Sequence, residues 1–308
     1  MTWAEHALAF DCAGETLIGI VSVPESSDDG TLLRPRDAQS DTGVVVVVGG
    51  PQYRAGSHRQ FALLARALAT AGYAGLRFDY RGMGDSTGSH RDFESVNEDV
   101  AAAIGALLQD QPNVQRVVLW GLCDGASAAL LYLHATRDPR VHAVCIVNPW
   151  VRSESGLARV HMKHYYLQRV RRPEFWRKVF TGQVAGKAAL ELWRNLIKSF
   201  RRADRSGKGV RPQADRRVPF QRRMAEAAAG FDGDLLLVTS GRDLTAKEFE
   251  DSVRDDAIWQ GALATGSCMR LGFPDADHTF SSIGDLRGLQ MAVVNWLDRR
   301  RQGRGFPK

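Results

Sequence analysis

The feature that most constrains this chain is a five-residue turn, Gly121-Leu122-Cys123-Asp124-Gly125, set between a predicted strand (residues 114–120) and a small-residue stretch of helical character (126–134). Strand, glycine-flanked turn and helix in that order have the form of a nucleophile elbow, with cysteine where serine is usual. The two glycines let the backbone turn sharply where a Cβ would obstruct it. The nucleophile then projects from the carboxyl end of a sheet, over a helix N-terminus whose dipole favours a thiolate.

Such a turn needs parallel strands around it, and the pattern of the chain supplies them. Residues 8–23 alternate and turn at Gly14, which predicts an opening antiparallel hairpin, with a polar loop over 25–42 after it. The run 44–48 reads as a buried strand closed by Gly49-Gly50-Pro51. Residues 58–71 have helical spacing, with Phe61, Leu64, Ala65 and Leu68 on one face and Gly72 as the stop. Further strands are expected at 74–78, 141–147, 235–239 and 268–271, and further helices at 97–108, 246–259 and 286–300. Strands alternating with helices imply right-handed crossovers, hence an α/β fold whose mostly parallel sheet is flanked by helices. Residues 151–230 break the alternation with a helical, basic and aromatic pattern. The expected division is therefore a core from 1–150 and 231–308, carrying an inserted basic helical cap at 151–230. At 308 residues one such domain is favoured over several small ones.

A thiol nucleophile needs a base, and the base an orienting carboxylate, in the chain order nucleophile, acid, histidine. Asp243 follows the strand at 235–239 in Ser240-Gly241-Arg242-Asp243, and His278 lies in Asp275-Ala276-Asp277-His278, before the last helix. Asp277 is a rival orienter. An oxyanion would need two donors. One is expected from the backbone N–H of Asp124. The other is expected from the loop after the strand at 44–48, where Pro51 lacks an N–H and leaves Gly50 or Gln52.

The four cysteines, Cys12, Cys123, Cys145 and Cys268, form no paired-cysteine motif, so neither a zinc site nor a disulfide framework is expected, and no metal or other cofactor is called for. Cys12, Cys145 and Cys268 read as small core hydrophobes. The apolar run Val44 to Val48 is far shorter than the roughly 20 residues of a membrane span, and the start has no secretory pattern. The expected location is cytoplasmic, with peripheral attachment to the inner membrane as a further option. The formal charge is +6, but 20 Lys and Arg against 5 Asp and Glu fall between Val151 and Arg223, leaving 21 against 30 elsewhere. Leu192, Trp193, Leu196, Ile197 and Phe200 share one helical face there, with Tyr165, Tyr166, Phe175 and Trp176 adding aromatic bulk. Readings of this region are a solvated basic cap, a site for a phosphate-bearing acyl-CoA or an acidic acyl carrier protein, and a contact with an anionic membrane surface. No motif for nucleic acid is present.

These residues together resemble the α/β-hydrolase superfamily. Phe78-Asp79-Tyr80-Arg81-Gly82-Met83-Gly84-Asp85-Ser86 is similar to the D-x-R-G-x-G-x-S segment of many members, a structural loop near the pocket. Gly49 to Arg54, Gly56 to Gln60 and Trp120 to Asp124 more narrowly resemble the type 1 hydrolase associated with exosortase A systems, which implies a setting of exopolysaccharide export and protein sorting. In that setting Tyr53 and Arg54 are expected beside the substrate. Cysteine at the elbow is similar to dienelactone hydrolases, and Val48 stands where many members carry histidine. The expectation is a Cys123-His278-Asp243 hydrolase of thioesters or esters acting through an acyl-enzyme. An acyltransferase to a glycan or lipid, and a non-catalytic module docked to a membrane or a protein, are the alternatives.

Overall fold

The computed structural model describes residues 3–25, 40–50, 52–152 and 218–302. The chain divides into two units, Met1–Val151 with Val218–Lys308, and Arg152–Arg217. The expected cap helices, with Tyr165, Trp176, Trp193 and their neighbours, lie outside the described residues.

Two long strands, β1 (Trp3–Cys12) and β2 (Glu15–Pro24), open the chain as an antiparallel hairpin. Ala13 and Gly14 close it with φ of 54° and 81°, both positive, as a two-residue primed turn requires. The remaining strands are β3 (Thr42–Val47), β4 (Ala74–Phe78), β5 (Arg116–Leu122), β6 (Val141–Val147), β7 (Asp234–Ser240) and β8 (Cys268–Phe273). They form one sheet in the order β1-β2-β4-β3-β5-β6-β7-β8. β2 meets β4 antiparallel, and every later pairing is parallel.

The valine run shows why this sheet is covered on both sides. Val45 and Val47 pack into one core with α2 (Asn97–Asp110) and α3 (Asp124–Thr136). Val44, Val46 and Val48 pack into the other with α1 (Gln60–Thr70). Each such buried side chain contributes about 1.5–3 kcal/mol relative to exposure. The second core also holds Leu289, Val293 and Trp296 of the last helix, α7, described below.

Two boundaries differ from the sequence expectation. Val218 to Gly230, assigned above to the insertion, belongs to the first unit: α4 (Phe220–Gly230) buries Met224 and Ala225 in the first core, and Phe220 meets Phe93 edge to face at 5.2 Å. Its basic residues hid this, because Arg223 is buried in an ion pair with Glu94 that reading by charge cannot anticipate. The helix expected at 246–259 is two, α5 (Leu244–Arg254) and α6 (Ala257–Leu263). Asp256 starts the second by accepting the N–H groups of Ile258 and Trp259 at 2.8 and 3.2 Å, a cap that competes with continuing the first. The chain ends with α7 (Ile283–Arg301).

The loop after β4 is braced from within. Asp99 of α2 accepts from the Arg81 backbone at 2.9 Å and from its guanidinium at 2.8 Å, and both side chains are buried. A Cβ on Gly84 would come within 2.1 Å of Asp79 Oδ2, so the glycine is a steric requirement. The segment is structural, as the resemblance implied.

Candidate active site

β5 ends at Leu122 and α3 begins at Asp124, so Cys123 alone reverses the chain, with φ 59° and ψ −127°. A non-glycine residue there costs about 1–3 kcal/mol, and it persists only where its surroundings over-determine it. They do. The Cys123 N–H donates to Val147 at 2.9 Å, and its carbonyl accepts from Ala126 at 3.1 Å and Trp150 at 3.2 Å. A Cβ on Gly121 would lie 2.4 Å from the Gly125 oxygen, and one on Gly125 would lie 2.3 Å from the Val47 oxygen. The flanking glycines thus let the elbow, the start of α3 and the end of β3 close on one another.

His278 stands in the loop between β8 and α7. Its Nδ1 donates to Asp243 Oδ2 at 2.8 Å. Asp243 is buried at the start of α5, where it also accepts the N–H groups of Thr245 and Ala246 at 3.0 and 3.1 Å. One carboxylate therefore caps a helix and orients the imidazole. The hydrogen bond from Asp243, followed by one with Cys123, holds the His278 pKa up to about 10 against the opposing effect of burial. Asp277, the rival orienter, is held by Ser281 and Thr279, and the Ser281 hydrogen bond lowers its pKa. Cys123, His278 and Asp243 are thus brought together in the expected order.

The other cysteines are different. Burial pushes the thiols of Cys12 and Cys268 up to about 11 and that of Cys145 well above its ordinary value.

Of the two candidates for the second oxyanion donor, Gly50 is the one whose N–H faces the Asp124 side of the elbow, with φ 61°. The Gln52 side chain turns away, accepting from Ser57 N–H at 3.1 Å and Gln60 at 3.3 Å. Tyr53 is half exposed, and Arg54 lies 5.9 Å over its ring. The Arg54 guanidinium pairs with Asp79 and Asp85, and its N–H donates to Asp79 at 2.7 Å. That corrects the expected substrate contact of Arg54: two carboxylates already neutralise its charge, and it ties the loop after β3 to the loop after β4.

Asn148 is a residue the sequence reading missed. It is fully buried with φ 45°, donates to Ser240 Oγ at 2.9 Å and to the His278 carbonyl at 3.2 Å, and accepts the Ser240 N–H at 2.8 Å. It clamps the end of β6, the start of the acid loop and the backbone of the base. The available signal was an asparagine, tolerant of positive φ, directly after an all-apolar strand. Asn148→Ala is expected to cost about 1–3 kcal/mol of stability, since three polar groups lose their partner. It should also lower kcat about 10- to 100-fold with KM within about twofold, through a misplaced base. Thermal melts and steady-state kinetics check both, and an unchanged kcat would remove the positioning role.

A cleft of about 770 Å³ lined by His134, Asp138 and Glu226 at the C-terminal end of α3 shares no residue with the triad. Among the described residues, no group of three or more His, Cys, Asp or Glu side chains is arranged to hold a metal ion. No helix among them is long and apolar enough to cross a membrane.

Residues 39–191 match the family model described as Hydrolase 4, serine aminopeptidase, S33. No curated relative matches the chain at a significant level. Among solved structures, an esterase from Pyrococcus furiosus is similar with 17% identity and a TM-score of 0.58, covering 96% of this chain and 93% of its own. An α/β serine hydrolase homologue from Coxiella burnetii follows at 14% identity and 0.57, covering 95% and 97%. Mouse α/β hydrolase domain-containing protein 10 has 13% identity and 0.55, covering 96% and 99%. Sheet order, elbow and matches agree: the chain has the α/β-hydrolase fold, with cysteine at the elbow where a serine hydrolase carries serine.

Proposed function

We propose that the protein hydrolyses activated acyl bonds, thioesters ahead of oxygen esters, through an acyl-enzyme on Cys123. The observation that carries this reading is a strained cysteine sharing a hydrogen bond with a histidine whose raised pKa comes first from Asp243. A protonated imidazole beside the sulfur supports attack by thiolate. Sγ bonds to the acyl carbon, the C=O electron pair moves onto oxygen, and the backbone N–H groups of Gly50 and Asp124 receive it. The tetrahedral species collapses, the bond to the leaving sulfur breaks, and His278 gives that sulfur its proton. Water, activated by the now neutral His278, attacks the acyl-Cys123 and releases the acid.

Cysteine favours thioesters because exchange of one thioester for another is near balance, whereas an oxygen ester must be converted to a higher-energy thioester. The donor proposed is an acyl-CoA or an acyl carrier protein, since 20 basic residues against 5 acidic between Val151 and Arg223 suit phosphate or acidic protein. That same charge supports peripheral contact of a cytoplasmic protein with an anionic membrane. The resemblance to the exosortase-associated family supports a role in that pathway. Transfer of the acyl group to a glycan or lipid differs only in the acceptor of the second step.

Acyl-CoAs and p-nitrophenyl esters of matched chain length separate the substrate classes. The expected result is a kcat/KM at least about 10-fold higher for the thioester, a preference worth roughly 1.4 kcal/mol in the barrier. Higher activity on the oxygen ester would reject the thioester preference.

A further inference from the structure

Two buried polar atoms near the elbow have no hydrogen-bond partner among the described residues: Oδ1 of Asp124 and the hydroxyl of Tyr80. Asp124 is the first residue of α3, and its carboxyl folds back against the loop after β3. A Cβ on Gly49 would come within 2.5 Å of Oδ1, and one on Gly50 within 3.9 Å. The N–H groups of Gly50, Asp124 and Gly125 face this carboxyl. An oxygen atom therefore already occupies the place where donors for an acyl oxygen are expected. Tyr80 lies two residues beyond β4, is 4% exposed, and meets Phe78 edge to face at 5.4 Å. It is near enough to Asp124 for a charge there to raise the ionisation of its phenol.

The protonation state of Asp124 decides what this arrangement does. An ionised carboxylate here would repel the charge that develops on the acyl oxygen. Burial raises the Asp124 pKa above its ordinary value, although the N–H groups of Gly50, Asp124 and Gly125 and the charge on His278 pull it down. A neutral carboxyl is a hydrogen-bond donor, as is a phenol, and a buried polar group without a partner is exceptional in folded proteins. Both therefore have an O–H to give, with no acceptor among the described residues.

We propose that Asp124 and Tyr80 are further catalytic residues, whose O–H groups donate to the acyl oxygen as it becomes an oxyanion, alongside the N–H groups of Gly50 and Asp124. The inference rests on Cys123 as the nucleophile. When the Sγ–C bond forms and the C=O pair moves to oxygen, that oxygen takes the position against the N–H groups, and the displaced carboxyl turns its O–H towards it. Asp124 keeps its proton throughout. When the pair returns and the leaving sulfur departs, the proton that sulfur takes comes from His278.

The test compares two reactions of Cys123 in the full-length protein: turnover of an acyl-CoA, which passes through an oxyanion, and alkylation by iodoacetamide, which does not. Asp124→Ala should lower kcat on the order of 10²-fold, Asp124→Asn, which keeps a donor, less than about 10-fold, and Tyr80→Phe about 10-fold. Alkylation should stay within about threefold of wild type in all three. An unchanged or faster acyl turnover in Asp124→Ala would overturn the proposal by marking the carboxyl as an obstruction. A fall in alkylation that matches the fall in turnover would overturn it too, since the effect would then lie in the thiol or the fold. Turnover that survives Cys123→Ala would instead remove the nucleophile reading, and this inference with it.

Discussion

Cys123→Ala is expected to lower turnover of an acyl thioester by at least about 10⁴-fold, with a melting temperature unchanged or slightly raised. The two halves of that expectation have separate causes. Without Sγ no acyl-enzyme forms, and only substrate binding and the oxyanion donors remain to assist water. The fold does not depend on the thiol, because the elbow is held through the Cys123 backbone, by Val147, Ala126 and Trp150, and by the close approach of Gly121 and Gly125. Alanine keeps those backbone contacts. Gly125→Ala is the opposite case, since its Cβ would strike the Val47 oxygen. Activity assays and thermal melts on Cys123→Ala check this, and retention of more than about 1% of turnover would exclude the thiol as nucleophile.

Asp243→Asn is expected to lower kcat/KM on the order of 10³- to 10⁴-fold, by analogy with other triads that lose the orienting carboxylate. It should also reshape the pH profile. His278 titrates at about 10 in the folded protein against an ordinary 6.5, with the Asp243 hydrogen bond as the largest cause. The active form carries the proton on His278, so wild-type kcat/KM should hold through neutral pH and fall as pH rises through about 10. In Asp243→Asn that alkaline limb should move down towards 6.5, since the remaining Cys123 bond is the smaller cause. The same linkage acts on stability. A raised histidine pKa contributes stability that is fully present below about 6.5 and is lost as pH rises through about 10. Asp243 also caps α5, so the variant should melt lower by an amount consistent with about 0.5–2 kcal/mol. Rate profiles between pH 6 and about 10.5, with melts at each pH, read both effects. An alkaline limb that does not move would remove Asp243 as the source of the His278 shift.

Much of this site was legible in residue order because it depends on local patterns. Gly121 to Gly125 between a strand and a helix dictates the elbow, and the loops after β7 and β8 are where an acid and a base belong. What escaped reading depends on contacts distant in sequence. Asn148 joins Ser240 and His278, 92 and 130 residues away, through an amide whose partners no pattern announces. Arg54 looked free to meet substrate because its two carboxylates, Asp79 and Asp85, arrive from the next loop. Arg222 and Arg223 looked like part of a basic insertion, yet α4 is amphipathic and Met224 is buried in the core. The break between α5 and α6 needed Asp256 to be weighed as a cap within a stretch otherwise helical in pattern.

The most direct measurement is intact-protein mass spectrometry after brief mixing with an acyl-CoA and acid quench. The wild-type chain should gain the mass of one acyl group, located on the peptide containing Cys123, and Cys123→Ala should gain none. An adduct of the same yield in Cys123→Ala, or turnover of the acyl-CoA with no adduct at any mixing time, would contradict catalysis through an acyl-cysteine.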